Sequence, residues 1–103
     1  MALTGKNLLL VASSDLSHFY PQADATRFDA EMLKRIEALD PEGIIKADKQ
    51  QIGFACGRGA IAAVLWAAQQ LGATQARVLC HATSGEVTGD FERVVGYGAA
   101  VIF

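Results

Sequence analysis

The sequence is poor in the features that would assign it to several large protein classes. It has only two cysteines, Cys56 and Cys80, far apart and in no CxxC arrangement, so no paired-thiol motif is written into it. Free thiols and a reducing, cytoplasmic setting are the expectation. Long apolar runs are missing too. Ala60–Ala68 reaches about half of the roughly 20 residues a membrane helix requires, and Leu8–Ala12 is too short for the apolar part of a signal peptide. Positive charge is not in excess: 9 Lys and Arg stand against 11 Asp and Glu, a net charge of −2. The basic doublet Lys34-Arg35 lies in a stretch that also carries Asp29, Glu31 and Glu37. Nothing therefore points to nucleic acid or an anionic membrane as partner. No linker, repeat or low-complexity segment interrupts the chain.

What remains is ordinary for one globular domain: 103 residues, 51% of them hydrophobic and 19% charged, enough for a modest core. Leu8–Ala12 is a continuous apolar run and reads as a buried strand; Ser13–Pro21 reads as a loop. Phe28, Met32, Ile36 and Leu39 recur at helical spacing and predict a helix over about 23–39. Asp40-Pro41-Glu42 has the order N-cap, N1 proline, first-turn acid, which starts a second helix. Its buried side would be Ile44, Ile45 and Ala47, fraying near Gln50-Gln51. Gly53–Gly59 is a glycine-punctuated loop. Ala60–Leu71 predicts a helix apolar on nearly every face, buried on two sides and capped by Gly72, with Trp66 in the core. Arg77–Ala82 and Val94–Phe103 predict strands, and Gly96, Gly98, Ala99 and Ala100 mark a place where something packs closely. The order β-α-α-α-β-β is an α/β fold with a mixed sheet. Its first two strands would be parallel through a right-handed crossover, and its last two antiparallel if neighbours. Three strands cover such helices thinly, which suggests self-association or a place in a larger unit.

Polar clusters follow the hydrophobic runs. In sheets flanked by helices, ligands bind beyond the carboxyl ends of strands. Asp15 and His18, three residues apart after the first predicted strand, could orient one another or face one ligand; equally, Asp15 and the serines could cap local backbone while His18 is solvated. Cys56 stands at a helix start, where backbone N–H groups and the helix dipole favour a thiolate, a nucleophile and a soft metal ligand. Arg58 adds positive charge there. The competing reading makes Cys56 a small buried filler. Cys80 alternates with Val78 and Ala82 and is expected in the core. His81, on the opposite face, could reach the crevice of His18 or simply hydrogen-bond locally. Ser84-Gly85-Glu86 and Thr88-Gly89-Asp90 are turn residues first, although Ser84 could offer a hydroxyl to an anion.

Taken together and in order, Ser13-Ser14-Asp15-Leu16-Ser17-His18-Phe19-Tyr20-Pro21, Cys56-Gly57-Arg58-Gly59, Leu71-Gly72-Ala73, Thr83-Ser84-Gly85-Glu86-Val87-Thr88-Gly89-Asp90 and Arg93-Val94-Val95-Gly96-Tyr97 resemble the C-terminal part of the MEMO family, also called AmmeMemoRadiSam system protein B. The resemblance covers nearly the whole chain and makes residues 1–103 one domain. It implies a part of the α/β sandwich of class III extradiol dioxygenase-like proteins, built around a non-haem iron site. By position, Asp15, His18 and Cys56 match the family's active-site Asp, His and Cys. Cys56 would ligate iron (Fe2+) or copper, and His18 would ligate the metal or, with Asp15, act as an acid/base pair beside it. Family members are longer, and their N-terminal part supplies two further metal-site histidines. The resemblance thus implies half of a site, completed by a second copy or by a partner chain of the N-terminal type. His81 stands where the family commonly has a tyrosine. Two functions follow as expectations: a metal-dependent redox or dioxygenase-like enzyme with oxygen or substrate activated at the metal, or a non-catalytic module binding a peptide or small molecule, such as an anion, in the same crevice.

Overall fold

The computed structural model describes residues 9–103. Strand β1 (His18–Tyr20) is followed by helices α1 (Gln22–Glu37), α2 (Pro41–Lys49) and α3 (Arg58–Gln70), strand β2 (Ala76–Thr83), a single-turn helix α4 (Gly85–Thr88) and strand β3 (Val94–Ile102). The sheet order is β1-β3-β2, and both pairings are antiparallel. The expected mixed sheet with a parallel crossover is therefore corrected to an antiparallel one. The cause lies in the first strand. Leu8 lies outside the described residues, and residues 9–12 form no ladder among the described residues. Strand β1 pairs with β3 only at Val94 and Val95, and residues 9–12 line a groove beside residues 98–103 without joining the ladder. Leu9 and Val11 are 87% and 73% exposed. The first strand instead comes later, from the stretch read as a loop.

Local chemistry accounts for the helices. In α1, Asp24 stands in the first turn and Lys34 and Arg35 in the last, each matching the sign of the helix dipole. Met32 and Ile36 are buried as their spacing predicts. Leu39, at φ 53°, turns the chain into α2, where the Asp40 carboxylate accepts the Gly43 N–H at 2.9 Å and Pro41 opens the first turn. Ile44 and Ala47 face inward, whereas Ile45 lies on the outer side. Helix α3 ends at Gly72 in the left-handed region, φ 103°, the conformation that favours glycine in this position.

The core is Leu16, Met32, Ile36, Ile44, Ala47, Ala55 and Leu65, joining α1, α2, α3 and the segment before β1. Only Leu65 of α3 is buried. Trp66, expected inside, is 58% exposed, so α3 packs on one side and presents its apolar remainder outward. Cys80 was expected in the core and is exposed. The register slips between Val78 and Cys80, and the sheet face that carries Leu79 and Tyr97 is open. The opposite face receives α1, and there the small residues of β3 do what their size suggests. A Cβ at Gly98 would come 3.0 Å from Leu33, so the helix rides close over the strand. An apolar groove of about 660 Å³, lined by Leu10, Val11, Leu33, Ile61, Val64 and Ile102 among others, opens beside α3. No described helix is long and apolar enough to cross a membrane.

Candidate metal centre

Asp15 and His18 come from the segment that enters β1, and Cys56 comes from the turn that opens α3. Backbone bonds hold these two stretches together: Cys56 N–H donates to Asp15 O at 3.3 Å, and Gly57 N–H donates to Ser14 Oγ at 2.8 Å. The result is that a carboxylate oxygen of Asp15, a ring nitrogen of His18 and the Cys56 sulfur all lie within 4.8 Å of one another. The His18 Nε2 is 3.5 Å from Asp15 Oδ2, both side chains being nearly half exposed.

Two hydrogen-bond donors face the thiol. Asp15 N–H points at Cys56 Sγ at 3.3 Å, and the Ser14 hydroxyl lies 3.7 Å from it. The Asp15 amide, then the Ser14 hydroxyl and to a smaller extent the Gly57 amide, hold the Cys56 thiol below the usual range; partial desolvation and the Asp15 charge oppose them. Hydrogen bonds to the charged form favour it, so the thiolate is the preferred state over a wider pH range than for a free cysteine. The positive charge expected from Arg58 is spent elsewhere, since its Nε pairs with Asp48 Oδ2 at 3.0 Å.

A cavity of about 270 Å³ adjoins the group, lined by His18, Tyr20, Asp48, Phe54, Cys56 and Arg58 among others. Tyr20 stacks on Phe54 at 5.5 Å, and Phe28 packs edge-on against both. Tyr20 and Phe54 thereby form an aromatic wall of the cavity that Cys56 also lines.

Does this donor set fit a metal? Ligand bonds of about 2.0–2.3 Å place donors at most about 4.6 Å apart. Donors spread up to 4.8 Å apart share one ion once side-chain rotation draws them closer. A thiolate with an imidazole suits iron, copper or zinc better than the hard ions magnesium or calcium. Three ligands leave coordination positions open, so the residues present fit the expected iron or copper as part of a shell.

The other candidates go elsewhere. The His81 Nε2 lies 2.7 Å from Asp29 Oδ2, away from the three-residue group. The Ser84 Oγ accepts the Val95 N–H at 2.9 Å and ties α4 to β3. Two contributors escaped the sequence reading. Ser14 looked like one more loop serine, and Asp29 counted only as one of the acids beside Lys34-Arg35, yet it is fully buried. Only the helical spacing of Asp29 with Met32 and Ile36 could have placed it on the inner face.

A family model described as Memo-like protein matches residues 1–101. The chain belongs to the Memo-like family. It is similar to MEMO1 family proteins of Methanopyrus kandleri, 39% identical over 98 residues, which is 95% of this chain and 34% of that protein; of Methanosarcina barkeri, 40% over 99 residues, 96% and 37%; and of Aeropyrum pernix, 44% over 95 residues, 92% and 34%. The chain thus spans about a third of the length of the Memo-like relatives it matches.

Proposed function

We propose that this Memo-like chain contributes Cys56, His18 and Asp15 as one side of a non-haem iron or copper site in a redox or dioxygenase-like protein. The observation that carries the reading is the convergence of three different donors within 4.8 Å, one of them a thiol whose hydrogen bonds hold its pKa below the usual range. The metal, when bound, would supply Lewis-acid and redox chemistry at positions the protein leaves open. The chain's own residues do the rest. Cys56 holds the ion by its sulfur. Asp15, 3.5 Å from the imidazole, orients His18, which serves either as a ligand or as a carrier of protons. Tyr20 and Phe54 exclude water from one side.

In this reading the three-stranded sheet is a portion of a larger dioxygenase-like sandwich, and the open apolar faces of α3 and of the sheet are covered by a second copy of the chain. Two exposed free thiols suit a reducing, cytoplasmic compartment. A second reading, a module that binds a small molecule or peptide without a metal, draws on the aromatic wall and the Arg58–Asp48 pair lining the cavity.

The two readings separate by calorimetric titration of the reduced chain with Fe(II) under anaerobic conditions. Near-stoichiometric binding, lost in Cys56→Ala and weakened in His18→Ala, is expected. Binding indifferent to both substitutions, or none, sinks the metal reading and leaves the metal-free module.

A further inference from the structure

Asp29 is a fully buried carboxylate in the middle of α1, and both its partners come from other elements. Its Oδ1 accepts the Ser17 N–H at 2.9 Å. Its Oδ2 meets the His81 Nε2 of β2 at 2.7 Å, with the imidazole about a quarter exposed. The carboxylate lies over Gly96 of β3, where any Cβ would overlap it. The glycine is thus the window through which α1 and β2 grip the residue just before β1. A buried carboxylate is costly unless paired and hydrogen-bonded, so the three groups stand or fall together.

Ser17 sits between Asp15 and His18, and its backbone is held from two sides. Leu16 N–H donates to Gly96 O, and Gly96 N–H donates to Ser17 O; the Ser17 N–H turns away from that ladder to Asp29. The Ser17 Oγ is buried with no partner among the described residues, so the side chain adds no hold. Just beyond, Phe19 takes φ 66° and the pairing register slips between His18 and Tyr20. A segment this irregular is weakly specified by its ladder alone.

We propose that the Asp29–His81 pair is a positioning device. By anchoring the Ser17 peptide it sets where the Asp15 carboxylate and the His18 imidazole stand relative to Cys56. Its consequence for metal affinity rests on the metal-site reading; the anchoring itself does not. His81 acts on the centre through Asp29 and Ser17, and takes no place among the ligands.

The test compares the chain with His81→Leu, which removes the donor, and His81→Gln, which keeps an N–H donor on a side chain of similar reach. Loss of a hydrogen bond to a buried charge should speed exchange of the Ser17 amide by about tenfold or more. Fe(II) affinity, read by anaerobic calorimetry, should fall about 10–100-fold. His81→Gln should restore both most of the way. Unchanged Ser17 exchange in His81→Leu overturns the proposal, as does acceleration matched by core amides such as Leu65, or a Gln variant that behaves like Leu. Should the unsubstituted chain bind no Fe(II), the metal reading fails and the exchange rates alone judge the anchor. Should His81→Leu not fold, nitrogen NMR of the unsubstituted chain decides: the anchor requires a proton on His81 Nε2, and a ring protonated on Nδ1 alone contradicts it.

Discussion

Cys56 draws most of its acidity from a residue 41 positions earlier, because the Asp15 amide is the group aimed at its sulfur. Helix-start geometry contributes less, through Gly57. That division yields a prediction. Ser14→Ala removes the second stabilising contact, so the Cys56 thiol should titrate closer to the ordinary thiol range. The check is the pH profile of iodoacetamide alkylation in Cys80→Ser, which should shift upward on adding Ser14→Ala; an unmoved profile removes Ser14 from the account. The same lowering bears on stability. Folding favours the thiolate, so the contribution is fully present above the unfolded thiol value and is lost as pH falls through the lower folded value. At this scale, Asp15 and His18 were legible as polar residues after a predicted strand, and Cys56 as a thiol at a predicted helix start. Ser14 was not, since nothing local distinguishes it from Ser13 or Ser17.

The elements divide by how far their causes lie along the chain. Helix α2 was readable because Asp40, Pro41 and Gly43 act within one turn. Strands β2 and β3 were readable because each is long and apolar. Strand β1 was not: its partner is Val94–Val95, far along the chain, and its three residues carry no alternation of their own. The 9–12 segment misled for the converse reason, since its apolar character serves a surface that no strand of this sheet covers. Glycines give a signed prediction at this scale. Gly96→Ala drives a methyl group into the Asp29 carboxylate and should destabilise the fold by about 1–3 kcal/mol or more. Gly59→Ala, inside α3 with nothing within 4 Å of the new Cβ, should stabilise it by about 0.5–1 kcal/mol. Urea unfolding of the two variants reads both signs.

For the molecule as a whole, the amount of apolar surface left open is the fact that asks for explanation. Trp66, Leu79, Tyr97, Val101 and Phe103 are all exposed, on α3 and on the outer face of the sheet, and the chain spans only about a third of its Memo-like relatives. The sequence already suggested a shortage of covering strands, although it placed Trp66 inside. Exposed apolar faces of this kind mark interaction surfaces. Sedimentation velocity should find the chain self-associated, and Trp66→Lys should shift it toward monomer; a monodisperse monomer at high concentration would mean that a different chain covers the face.

In the proposed function one ion sits against the Cys56 sulfur, with His18 at hand. X-ray absorption at the iron edge of the anaerobic Fe(II)-loaded chain tests it directly. One sulfur scatterer among nitrogen and oxygen neighbours is expected, absent from Cys56→Ser. A shell of nitrogen and oxygen alone in the unsubstituted chain would contradict it.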